Sequence, residues 1–196
     1  LGFDKFYGII GAESSQWEPP VYDQTTPISP HVGNPGYHLT EDLADQTIAW
    51  IERQQVSRPN QPFFTYFSTP ALHAPHHVAR EWIDKFKGQF DGGWDVLREE
   101  IYERQLKLGV IPPNTALTKR PEQVPAWSDY PERYQPVASR LMETFAGFLA
   151  HTDAQVGRVI DALERLNIMD NTLVVYITGD NGSSAEGTIH GAWSAP

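Results

Sequence analysis

The chain has 196 residues, 40% of them hydrophobic and 20% charged, with a net charge of −10 and no cysteine. That length and balance suit one globular domain with a sizeable core. The acidic charge argues against nucleic acid or an anionic membrane surface as partner, and the lack of cysteine excludes disulfides, thiolate metal sites and a cysteine nucleophile within these residues. No apolar run approaches the length of a transmembrane helix, and no signal peptide is visible. The opening LGFDKFYG and the closing HGAWSAP read as the ends of an internal piece of a longer protein.

Residues 1–36 are rich in Gly, Pro and aromatics. Pro19, Pro20, Pro27, Pro30 and Pro35 forbid a long helix there, which leaves short strands and ordered loop. A helix is predicted next, with Thr40 as N-cap and Glu41 and Asp42 in its positive first turn. Leu43, Thr47, Ile48 and Ile51 share one stripe, and Arg58-Pro59 ends it. PFFTYF, Pro62 to Phe67, predicts a buried strand. After the loop TPALHAPHH, a short helix is expected from about Val78, then a second, WDVLREEIYERQLKLG, closed by Gly109. Val110 to Pro136 carries six prolines. So long a structureless stretch implies a lid, a contact surface or a linker; we read it as a Pro-rich insertion, 110–136, in a single domain spanning 1–196.

From Val137 to about Leu166 the pattern is that of a long helix, with Leu141, Phe145, Phe148, Thr152, Val156, Val159, Ile160 and Leu163 on one face. TLVVYI, Thr172 to Ile177, predicts a strand covered on both faces, as in a parallel sheet. This order of helices and strands implies an α/β layered sheet. In such sheets ligands bind beyond the carboxyl ends of the strands, where the loops TPALHAPHH and GDNG both fall.

Each loop has more than one reading. Gly179-Asp180-Asn181-Gly182 is ordinary turn chemistry, and it is also a carboxylate beside an amide, two hard oxygen ligands for Ca²⁺ or Mg²⁺. His73, His76 and His77 could form a zinc cluster, could be surface histidines, or could include one imidazole aimed at a substrate as donor or general acid. His151 and Asp153 diverge on a helix and form no dyad together; solvated or core-satisfied roles fit them. Glu186 lies six residues after Asp180, but the spacing fails the EF-hand pattern. No G-x-G-x-x-G, G-K-[ST] or G-x-S-x-G motif occurs.

PFFTYFSTPALHAPHHVAREW, HTDAQVGRVIDALERL and NTLVVYITGDNGSSAEG, taken in order, resemble segments of the sulfatase family of the alkaline phosphatase superfamily. FDGGWDVLREEIYERQLKLGVIP is similar to an insertion of bacterial arylsulfatases. The resemblance implies an alkaline-phosphatase-like layered sheet with helices on both faces, incomplete in this fragment. It implies a sulfuric ester hydrolase acting on aryl or alkyl sulfates through a formylglycine nucleophile and a divalent metal. By position, Asp180 and Asn181 match the family's late pair of metal ligands, with Ca²⁺ the expected ion and Mg²⁺ the alternative. His73, in His-x-Pro, matches the histidine that contacts the ester near its leaving oxygen; His76 and His77 receive no role. The partner expected is a small-molecule sulfate ester. The C/S-x-P-x-R motif that yields formylglycine is absent, so the nucleophile and the early pair of metal-binding aspartates are expected outside this chain, and the fragment alone is expected to be inactive. Two rival readings are a phosphodiesterase or phosphonate monoester hydrolase of the same superfamily, and a non-catalytic metal- or glycan-binding homologue.

Overall fold

The computed structural model describes residues 2–11 and 13–179. Three short strands, β1 (Tyr7–Ile9), β2 (Val21–Asp23) and β3 (Thr26–Ile28), precede four helices: α1 (Leu39–Ser57), α2 (Arg80–Asp84), α3 (Gly93–Leu108) and α4 (Gln135–Arg165). The strands form an antiparallel sheet in the order β1-β2-β3, with Ile9 opposite Val21 and Val21 opposite Ile28. Asp23 faces Thr26 across a two-residue turn in which Gln24 takes a φ of 58°. Two bonds to Phe6 hold Gln24 in that left-handed conformation: the Gln24 N–H donates to the Phe6 carbonyl, and Gln24 Oε1 accepts from the Phe6 N–H.

The sheet lies against the start of α1. Val21, Tyr37, Leu39 and Leu43 make a buried cluster, with Tyr7, Ile9, Ile28 and Phe67 packed around it. At its rim the Tyr7 and Tyr37 hydroxyls both donate to Asp42 Oδ2, at 2.5 and 2.8 Å. Burial first, and then these bonds to a carboxylate, push both phenols well above their ordinary pKa.

The first helix starts two residues earlier than its sequence suggests. The cap is His38, whose Nδ1 accepts from the Thr40 N–H at 3.2 Å, and not Thr40. Thr40 is fully buried inside the helix as its second residue, and its hydroxyl donates to Gln16 Oε1 at 3.0 Å. The helix ends at Ser57, before Arg58-Pro59, as predicted.

The last helix, α4, is the spine against which α1 and α2 pack. Its inward side keeps Phe148 and Leu163 of the apolar face predicted, both buried, and adds a polar row beside them. Ser139, Glu143, Gly147, His151 and Gln155, at four-residue steps, are buried, while Leu141 and Leu149 are exposed. The polar members can face inward because each finds a partner. Ser139 donates to the Phe90 carbonyl, and Glu143 accepts from the Gly88 N–H at 2.7 Å and from Arg140 at 2.6 Å. The Arg140 guanidinium, with that N–H, holds the Glu143 carboxyl below its ordinary pKa. Gly147 sits where a Cβ would fall 2.8 Å from the backbone of Ile83, so a glycine is what lets α2 lie directly on α4. Ion pairs from Arg158 to Asp45 and from Arg165 to Glu52 tie the far end of α4 to α1.

The Pro-rich stretch folds back along α3. Trp94 Nε1 donates to the Pro125 carbonyl at 3.0 Å, Tyr102 to the Thr115 carbonyl at 2.6 Å, and Asp95 accepts from both Arg120 and the Trp127 N–H at 2.8 Å. Trp94, Trp127 and Tyr130 stack edge and face beside these bonds. Among the described residues no helix is long and apolar enough to cross a membrane.

Both predicted strands need correction. Residues 62–67 join no sheet. Phe63, Thr65 and Phe67 turn inward, whereas Phe64 and Tyr66 are more than 70% exposed, so one face is covered and not both. Residues 172–177 likewise form no ladder, and Leu173 and Ile177 are more than 80% exposed. A strand exists only with a partner within about 4.8 Å, and the one sheet among the described residues is β1-β2-β3. The described residues therefore show helices with a small antiparallel sheet, consistent with α/β, without the layered sheet expected.

Candidate functional site

The loop between Phe67 and α2 carries all three clustered histidines, and their partners separate them. His73 is half-buried, and its Nδ1 lies 2.9 Å from the Ala74 carbonyl. A carbonyl only accepts, so Nδ1 carries the proton and Nε2 is the nitrogen available to a substrate. The His73 N–H itself donates to the Pro70 carbonyl at 2.9 Å, closing the turn before Ala74-Pro75. His76 packs edge-on against Phe145 and tilts against Phe148 of α4. His77 points the other way, stacked on Trp17, with Nδ1 accepting from the Gln16 N–H at 3.4 Å. Burial lowers the pKa of both His76 and His77. The zinc-cluster reading of HAPHH fails on this geometry, and no group of three His, Cys, Asp or Glu among the described residues could hold a metal ion.

A buried histidine pair lies beneath the loop. His38, at the head of α1, uses both ring nitrogens: Nδ1 accepts from the Thr40 N–H, and Nε2 donates to the His77 carbonyl at 3.0 Å. Its ring centroid is 4.3 Å from that of His151 on α4. His151 is 1% exposed, and its Nε2 donates to Glu41 Oε1 at 2.9 Å, while its Nδ1 is buried with no hydrogen-bond partner. Burial drives the His38 pKa down to about 4. Asp153 is exposed and takes no part. His38 escaped the sequence reading. Its signal was the spacing His38-x-x-Glu41, that of a capping box with imidazole in place of a hydroxyl. The contact from His151 to Glu41 joins two helices 110 positions apart and has no local signature.

Asp180 and Asn181 lie outside the described residues. The family model that matches this chain is that of the sulfatases, over residues 1–195. The chain belongs to the sulfatase family. It is 30% identical over 176 residues to an uncharacterized sulfatase of Schizosaccharomyces pombe, covering 87% of this chain and 30% of that protein. It is 28% identical over 151 residues to an arylsulfatase of Klebsiella aerogenes, covering 77% of this chain and 32% of that enzyme. Arylsulfatase K of Gallus gallus is 25% identical over 172 residues, covering 78% and 30%. This sulfatase chain thus spans about a third of the length of the curated relatives it matches.

Proposed function

We propose that the full-length protein is a sulfuric ester hydrolase acting on small aryl or alkyl sulfates. The observation that carries this reading is the sulfatase match over residues 1–195; the anchored His73 ring supports it. In this reading His73 is the proton donor at the leaving oxygen. With Nδ1–H held on the Ala74 carbonyl, protonation adds the second proton at Nε2, which donates it as the ester bond breaks. Asp180 and Asn181 are two of the metal ligands. A carboxylate and an amide oxygen fit Ca²⁺, or Mg²⁺, in kind, but Ca²⁺ takes six to eight oxygens, so further ligands and the formylglycine belong to parts of the protein beyond these residues. When bound, the ion would neutralise charge on the sulfate oxygens, which offsets the repulsion between an anionic ester and a chain of net charge −10. The segments 62–67 and 172–177 would then be strands of the layered sheet, with the His73 loop and Asp180 at their carboxyl ends.

The purified full-length protein should hydrolyse 4-nitrophenyl sulfate in preference to bis(4-nitrophenyl) phosphate. Faster turnover of the phosphodiester would move the protein to the phosphodiesterase branch, and turnover of neither ester nor of an alkyl sulfate would make it a non-catalytic homologue. The Asp180→Ala variant should lose most of its bound calcium by elemental analysis, since a charged ligand is removed from a site for a hard cation. Wild-type calcium content in that variant would remove Asp180 from the ligand set.

A further inference from the structure

The His73 loop has little regular structure of its own. At its start Phe67 packs against the buried cluster. At its end, three residues before α2, the loop is fastened by the side chain of His38, whose Nε2–H binds the His77 carbonyl. Between these anchors the chain is stiff: the His73 and His77 N–H groups close on the Pro70 and Pro75 carbonyls, and Pro75 fixes its own φ. Only Ala74, Pro75 and His76 separate His73 from the anchored His77, which leaves little chain to absorb a shift at His77.

We propose that His38 is a positioning residue for His73: from the head of α1 it holds the His77 carbonyl, and with it the loop that aims His73 Nε2 at the leaving oxygen. The inference rests on the reading of His73 as the proton donor. Its physical basis is the two-sided use of one neutral imidazole. Nδ1 must be bare to cap α1 at Thr40, so Nε2 must carry the proton that reaches the loop. The ring has no freedom to exchange these roles. Trp17 and Phe148 stand edge-on to it, and His151, itself bonded to Glu41, covers it at 4.3 Å. Helix α1, helix α4 and the histidine loop thus meet at one side chain, 3% exposed.

Two substitutions in the full-length enzyme separate its two bonds. His38→Asn keeps an oxygen that can cap α1 but cannot reach the His77 carbonyl, whereas His38→Gln keeps an N–H at the position of Nε2 and loses the cap. For an alkyl sulfate, whose poor leaving group needs the proton, His38→Asn should lower kcat about tenfold, because a displacement on the order of 1 Å is costly at a reacting centre. With 4-nitrophenyl sulfate, whose leaving group needs little protonation, the loss should stay within about threefold. His38→Gln should retain near wild-type kcat on both esters while unfolding at lower temperature. Equal losses on the two esters in His38→Asn, or a His38→Gln variant as impaired as His38→Asn, would reduce His38 to a structural residue. Should His38→Asn fail to fold, His38→Ser, whose oxygen can cap α1 and is too short to reach the His77 carbonyl, takes its place: the same split between the two esters upholds the proposal, and wild-type rates or equal losses overturn it. His73→Ala is the control. If it loses equally on both esters, the proton-donor reading falls and this inference with it; if it shows the split and His38→Asn does not, this inference alone falls.

Discussion

Replacing His73 with alanine in the full-length enzyme should lower kcat on an alkyl sulfate by about 10²-fold or more, the range for removing a positioned general acid. That corresponds to about 3 kcal/mol of lost transition-state stabilisation. The size of the effect follows from the geometry of the ring. Its Nδ1 is held at the Ala74 carbonyl, so one nitrogen fixes the orientation and, on the function proposed above, the other delivers the proton. The alkoxide that leaves from an alkyl sulfate is strongly basic and gains most from protonation. Nitrophenolate is weakly basic and gains little, so the loss with 4-nitrophenyl sulfate should be about tenfold smaller, as Brønsted behaviour requires. KM should change little, since the interaction develops only as the bond breaks. Calcium content should also be unchanged. A variant with wild-type kcat on the alkyl ester removes His73 from the chemistry; a rise in KM alone would assign it to substrate binding.

The elements legible in the sequence are those whose signals are local. The stop of α1 before Arg58-Pro59 and the left-handed Gly109 closing α3 each depend on a few adjacent residues. Pro136 in the first turn of α4 is another such local feature. The inward face of α4 was legible only in part. Periodicity selected Phe148 and Leu163, which are buried, and Leu141, which is not; it missed the buried polar row of Ser139, Glu143 and His151, whose partners Phe90, Gly88 and Glu41 are remote in the chain. A polar residue reads as outward until its partner is known. The two apolar segments 62–67 and 172–177 show the converse. Their composition specifies strands, but a strand is completed by its neighbours, and among the described residues they have none. At the site, the His-Ala-Pro context offered His73 as one reading among three, the resemblance assigned it, and its anchored ring is what the structure adds. His38 was missed because its only local signal, the spacing to Glu41, puts an imidazole where a capping hydroxyl is expected, and its bond to a loop 39 positions away leaves no trace in the sequence.

The histidine pair makes acid stability a second large expected effect. In the folded chain burial holds the His38 pKa at about 4, against an ordinary value of about 6.5. The unfolded chain therefore binds this proton first as pH falls. The contribution of neutral His38 to stability is intact above about pH 6.5 and is lost progressively down to about pH 4, amounting to about 3 kcal/mol over that window. The groups facing the ring act in both directions. The His77 carbonyl and the Glu41 carboxylate favour the proton, while His151 and the His77 ring oppose it. Burial of His76 and His77 lowers their pKa as well and adds loss of the same sign. The Glu143 carboxyl, held low by Arg140, has a contribution that is lost as pH falls through the carboxylate range of about 4 and below. Urea unfolding of the full-length protein should therefore show a loss of about 2 kcal/mol between about pH 7 and pH 5, a window in which carboxylates change little. His38→Gln, which keeps the donor and cannot titrate, should be less stable at neutral pH but should flatten that slope. A wild-type slope in His38→Gln would mean that another group carries the transition, and a flat wild-type profile would mean that His38 is solvated enough to be protonated without cost.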